Sequence, residues 1–274
     1  MPTTTRPSRA ILLTAAAIFL AAMVVLLVTG HTGLRHSSDT TDTTPILILW
    51  LPAIVGSVLI RLLPPKSAPP EALSNRDPRV TARQARTLAA LAIAFAVALH
   101  LTPRTTLWFI GLKFVLLLAL PLLLRAAAVG EWARIDTRGR RLRPLMIVAA
   151  FAVTAELVAP WTGRVAPDAI TLAGVFVINA VVEEIFYRFW LQTRLEVRYG
   201  RWPAIAMTSV LFAAWHSAIH GGAGLLVDLA AAVIDIGATG LFLGYLWSRY
   251  RNPWAQILVH GLINAPIGML VAMA

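Results

Sequence analysis

The sequence predicts an all-α, polytopic bundle of about nine membrane-spanning helices, and three observations carry that expectation. Of 274 residues, 58% are hydrophobic and 14% are charged, where soluble globular chains carry about 25% charged residues. The hydrophobic residues gather into nine runs, near 10–30, 45–63, 87–102, 105–124, 145–160, 169–191, 203–219, 224–248 and 254–274. Most approach the roughly 20 residues that a helix needs to cross a bilayer. The cations then fall between the runs in alternation. With a cytoplasmic N-terminus, 19 of the 24 Lys and Arg residues lie in inner segments and only Arg35, Arg104 and Arg164 in outer ones, the asymmetry of the positive-inside rule. Lys113 and Arg188 remain, both inside apolar runs.

These counts exclude several function classes. Too little chain is left between spans for an extramembrane catalytic domain. The absence of cysteine removes disulfides, thiolate metal ligands and a cysteine nucleophile together. The net charge of +11 resides in the loops, so it points to lipid headgroups and not to nucleic acid.

Taken in order, Arg6 and Arg9 precede the first run, which resembles a signal peptide in outline. Its length, from Ala10 to Gly30, exceeds an h-region of about 7–15 residues and predicts a retained helix. Residues 64–79 are Pro-rich and read as a solvated linker, and the arginines of 134–143 are expected among anionic headgroups. Trp108, Trp161, Trp190, Trp202, Trp247 and Trp254 sit near span ends and predict an interfacial belt. No internal repeat of the kind found in transporters is visible.

The informative residues are polar ones at membrane depth, where ionisable side chains are costly and by default functional. In the sixth run, Glu184 and Arg188 are four apart and predicted to pair on one helix face. Glu183 turns about 140° from Arg188 and shares a face with Asn179 and Tyr187, so the two carboxylates are expected to differ in role. In the seventh run Phe212 and His216 are one turn apart. In the ninth, His260 and Asn264 are likewise. Counted from the inner ends, Glu183 and His260 lie roughly 10–12 Å deep and His216 about 20 Å. The eighth run carries Asp228 and Asp235 on one face and Gly237, Gly240 and Gly244 opposite, the latter read as a close-packing stripe. Glu156 is read as interfacial, and His100 and His220 as solvated.

A carboxylate, two imidazoles and a carboxamide supply what amide hydrolysis in a dry site requires: a base for water and donors for the tetrahedral oxyanion. Neither G-x-S-x-G nor H-E-x-x-H occurs. A zinc site with Glu183, His216 and His260 as ligands stays open on residue types alone.

The order Glu183-Glu184-x-x-x-Arg188, Phe212-x-x-x-His216, Gly240-x-x-x-Gly244 and His260-x-x-x-Asn264 resembles the motifs of the CPBP intramembrane proteases, which include CAAX prenyl proteases. The resemblance covers roughly residues 169–266. It divides the chain into an N-terminal membrane region, 1–144, and a protease-like core, 145–274. It implies a glutamate-dependent endopeptidase open toward the cytoplasm. Glu183 and His216 would activate water, His260 and Asn264 would bind the oxyanion, and Glu184 with Arg188 and Phe212 would support the geometry. It further implies that no metal cofactor is needed. The expected partners are the bilayer and a membrane-anchored protein or C-terminal tail, and the Ala- and Arg-rich composition suggests a bacterial inner membrane. A non-catalytic scaffold or self-immunity protein is the alternative, and a transporter is less favoured.

Overall fold

The computed structural model describes residues 6–35, 43–66, 73, 76–131, 141–162, 167–220 and 222–273, without the side chain of His220. Arg134, Arg138, Arg140 and Arg164, on which part of the charge reading rests, lie outside the described residues.

Each apolar run carries a helix. The helices are α1 (Arg6–Val28), α2 (Ile46–Leu62), α3 (Pro78–Leu101), α4 (Thr106–Leu123) and α5 (Leu142–Val158), then α6 (Ala169–Tyr199), α7 (Arg201–His220), α8 (Leu225–Tyr250), α9 (Pro253–Asn264) and α10 (Ile267–Val271). Six of them (α1, α3, α4, α6, α7 and α8) are long and apolar enough to cross a membrane. Helices α2 and α5 have 17 residues each, about 25 Å at the α-helical rise. The ninth run does not form one span, because Pro266 has no N–H to donate and drives the residue before it out of helical geometry. Ala265 accordingly sits at φ −132° and ψ 83°, and α9 stops after 12 residues. A short antiparallel hairpin, β1 (Gly33–Arg35) with β2 (Thr43–Pro45), links α1 to α2.

The loop ends expected to face inward are tied to one another. Ser8 Oγ donates to the Tyr199 carbonyl at 2.9 Å, Gln84 Nε2 to the Arg125 carbonyl at 2.9 Å, Arg143 to Pro64 and Tyr250 to Leu63. Glu131 receives Arg76 at 2.8 Å and Arg194 at 2.9 Å, and Glu196 pairs with Arg251. Among the described residues three apolar clusters fill the interior, and each mixes helices from both parts of the chain. One joins α3 and α4 to α6 and α7, one joins α2 to α5, α8 and α9, and one joins α1 and α2 to α7 and α8.

The glycine stripe of α8 does what small residues do between helices. A Cβ on Gly240 would meet Ser209 Cα at 3.2 Å, and one on Gly244 would meet Gln192 Oε1 at 2.9 Å and Ile205 Cγ2 at 3.0 Å. This lets α8 and α7 approach closely, as the small-residue spacing suggests. The tryptophan belt needs correction. Trp108, Trp202 and Trp254 are about half exposed or more, whereas Trp190 and Trp247 are fully buried, and Trp247 donates to Thr193 Oγ1 at 3.0 Å. Glu156, read as interfacial, accepts from the backbone N–H groups of Trp161 at 3.2 Å and Gly268 at 2.9 Å, pinning the broken last segment to α5. His100 is exposed but also bonds Ser217 Oγ at 3.0 Å.

Candidate active site

Helix α6 organises the site. Asp168 caps it by accepting from the Ile170 and Thr171 N–H groups and the Thr171 hydroxyl, each at 2.9 Å. The Thr171 donations above all hold the Asp168 carboxyl below the usual carboxylate range. The cap is therefore kept at neutral pH and lost only as pH falls through that lowered value. Over Val175–Val181 and Glu184–Gln192 the helix is wound more widely, as π-helix, a geometry frequent at functional sites.

Glu183 and Glu184 are both buried. Glu183 Oε1 accepts from Lys113 Nζ at 2.6 Å, and the same ammonium donates to Asn179 Oδ1 at 2.6 Å. Asn179 and Glu183 do share a face. Lys113 also lies against the rings of Phe109, 4.1 Å away, and Trp215, 5.0 Å away, as cation–π partners. Low polarity and few donors are what an apolar run suggests around Glu183, and Lys113 corrects this. The lone lysine in the fourth run was the available signal, since an intramembrane cation requires a partner. Sequence spacing has no means of naming a partner 70 positions away.

Glu184 has a different set of contacts. Its Oε1 accepts from His260 Nδ1 at 2.6 Å and its Oε2 from Gln256 Nε2 at 2.8 Å. Arg188 Nε stays 3.6 Å from Oε2, beyond hydrogen-bond length. The i,i+4 pairing expected from the sequence is thus present as an ion pair without a hydrogen bond. The Arg188 guanidinium instead lies 4.4 Å from the Phe212 ring, and its three nitrogens have no hydrogen-bond acceptor among the described residues.

Helix α9 begins with Asn252, whose side chain accepts from the Trp254 and Ala255 N–H groups at 3.1 Å. From that cap it projects Gln256, His260 and Asn264 at four-residue steps along one face. Gln256 escaped the sequence reading, although it extends the same series by one turn. With Nδ1 held by Glu184, His260 Nε2 lies 3.7 Å from Glu183 Oε2. Asn264 Nδ2 is buried and has no hydrogen-bond acceptor among the described residues.

Helix α7 supplies Phe212 and His216. The Phe212 ring lies edge-on to Tyr187 (5.3 Å), His216 (4.8 Å) and His260 (5.8 Å), so it is the apolar hub between the two histidines. His216 stacks on Trp215 at 3.7 Å, and its Nδ1–H donates to the Phe212 carbonyl at 2.8 Å. In the neutral ring that leaves the lone pair on Nε2. The structure thus gathers Glu183, Glu184, Arg188, Phe212, His216 and His260 around one aromatic centre, with Asn264 one turn beyond His260. Asp228 and Asp235 are elsewhere. Asp228 accepts from the Gly222 and Ala223 N–H groups at 3.1 Å, and both aspartates line a separate 230 Å³ cavity with His31 and Arg35.

Comparison with known proteins is consistent with the motif order. Residues 165–266 match the family described as type II CAAX prenyl endopeptidase Rce1-like. The matched segment covers α6 to α9 and ends just past Asn264, while residues 1–164, with Lys113, lie outside it. No curated protein and no solved structure matches the chain significantly. The family match and the six long apolar helices support an integral membrane protein of protease type.

Proposed function

We propose that the protein is an intramembrane endopeptidase that cuts a membrane-anchored protein or its C-terminal tail. The observation that carries this reading is the pair of buried carboxylates around one imidazole: Glu184 bonds His260 Nδ1, and Glu183 faces its Nε2. Doubly protonated, His260 donates Nδ1–H to Glu184 and presents Nε2–H to developing negative charge. Glu183, assisted by His216 Nε2, takes a proton from water as its oxygen attacks the scissile carbonyl. His260 and the Asn264 amide donate to the resulting oxyanion. When the C–N bond breaks, the proton held by Glu183 passes to the leaving amine, and acid and amine products separate.

In this reading the reaction needs no metal. That is supported by Lys113, whose ammonium occupies one Glu183 oxygen and would repel a divalent cation. Among the described residues no three His, Asp or Glu side chains are arranged to hold an ion.

The test is cleavage of membrane-anchored peptides with varied C-terminal tails by purified protein in liposomes, read by mass spectrometry. Discrete products from the wild type that are absent with Glu183→Gln support the enzyme. Retained binding of a partner helix with no product from either would leave a scaffold.

The same reading places the N-terminus in the cytoplasm of a bacterial cell, with the site opening inward. The chain has no cysteine, so single-cysteine variants at the exposed positions Arg35 and Lys66 report orientation directly. An impermeant thiol reagent should label Arg35→Cys on intact cells and Lys66→Cys only after permeabilisation. The reverse pattern would overturn the assignment.

A further inference from the structure

Helix α4 has no place in the motif series, and residue 113 precedes the matched segment 165–266. Yet it contributes the closest charged contact of the water-activating carboxylate. Lys113 is fully buried at mid-helix, with Nζ 2.6 Å from both Glu183 Oε1 and Asn179 Oδ1. The rings of Phe109 and Trp215 lie against it, 4.1 Å and 5.0 Å away. Trp215 in turn stacks on His216. The ammonium is thus fixed by two acceptors and two aromatic faces, contributed by α4, α6 and α7.

We propose that Lys113 is a positioning residue for the hydrolytic reaction. It anchors one oxygen of Glu183, directs the other toward His260 Nε2, and supplies the counter-charge of the buried carboxylate. The inference rests on the peptidase reading given above. Its physical basis is that an unpaired carboxylate in a low-dielectric interior takes up a proton, whereas an adjacent cation keeps it charged. A protonated Glu183 has no capacity to accept the proton of water. Anchoring Oε1 also leaves Oε2 as the oxygen that receives it. Lys113 neither gains nor loses a proton in the cycle; the proton passes from water to Glu183 Oε2 and on to the leaving amine. The other titratable or charged groups in this part of the bundle are Glu184, Tyr187 and Arg188 of α6, His216 of α7 and His260 of α9. Glu184 is itself committed to His260 and Gln256, so Lys113 is the only cation within hydrogen-bond reach of Glu183 among the described residues.

The experiment compares wild type, Lys113→Met and Lys113→Arg in liposomes, measuring kcat and KM against pH. For Lys113→Met the acid limb of the kcat profile should move up by about one to three pH units. The rate below that limb should fall tenfold per unit, with KM little changed. Lys113→Arg, which keeps the charge, should return the limb toward wild type. A residue that merely clamps α4 to α6 would lower the melting temperature and the active fraction without moving the limb, and that result would overturn the proposal.

An infrared measurement reads the same pair without turnover. At neutral pH the carbonyl stretch of a protonated carboxyl should appear in Lys113→Met and vanish in Lys113→Met/Glu183→Gln. Its absence would count against Lys113 even if the protein proved not to be a peptidase. Should Lys113→Met fail to insert, Lys113→Gln keeps a donor without the charge and is expected to show the same limb and band. A wild type without Glu183-dependent cleavage would sink the enzymatic reading and leave the infrared result to judge the pair alone.

Discussion

Replacing Glu183 by Gln is expected to remove essentially all peptide hydrolysis from a protein that still inserts and folds. The amide matches the carboxylate in shape and its oxygen still accepts from Lys113, but it has no capacity to take a proton from water. Loss of a general base typically costs a factor of about 10² to 10⁴. Because Lys113 Nζ lies 2.6 Å from Glu183 Oε1, the substitution also leaves a buried ammonium without its counter-charge. Some loss of thermal stability should therefore accompany the loss of activity. The control is Lys113→Met/Glu183→Gln, which removes both charges and should be more stable than Glu183→Gln and equally inactive. Single-turnover cleavage in liposomes and thermal unfolding in detergent measure the two effects separately. If Glu183→Gln retained substantial peptidase activity while Glu184→Gln were stable and dead, the roles of the two glutamates would be exchanged.

The second large effect is expected at Glu184. Its carboxylate is fully buried, receives His260 and Gln256, and is the only one within ion-pair distance of Arg188 among the described residues. Glu184→Gln should lower stability by about 3–5 kcal/mol, the usual cost of stranding a buried charge, because Arg188 has no hydrogen-bond acceptor to fall back on. Activity should also drop. Gln accepts the His260 Nδ1–H but places no charge opposite the ring that donates to the oxyanion. A double-mutant cycle with Arg188→Met separates these consequences. Stability should recover in the double variant, since the cation is gone, whereas turnover should remain low, since His260 still lacks its carboxylate. Parallel recovery of both quantities would mean that Glu184 acts only as the partner of Arg188, as simple i,i+4 spacing suggests.

The sequence by itself determined the membrane class, the positions of the nine apolar runs and the list of polar groups that need a reason to be buried. Each of these follows from local physics. A hydrocarbon interior rejects charge, and a helix repeat places Phe212 with His216 and His260 with Asn264 on common faces whatever surrounds them. The break in the last run was equally local, written in Pro266, although hydropathy alone reads through it. The tertiary structure decided who partners whom. Lys113 and Glu183 are 70 positions apart, and Glu184 and His260 are 76 apart, so no periodicity connects them. The surroundings of Glu184 are a second such decision. An α-helical wheel gives it Arg188, and that ion pair is kept at 3.6 Å, but the hydrogen bonds of the carboxylate go to His260 and Gln256 while the guanidinium lies against Phe212. Trp190 and Trp247, which sit where an interfacial belt belongs, are buried because their helices pack in the centre of the bundle. Where a side chain's surroundings are set by its own helix and the lipid, the sequence was sufficient. Where they are set by a helix from a distant part of the chain, packing alone chose between partners that local physics left equal.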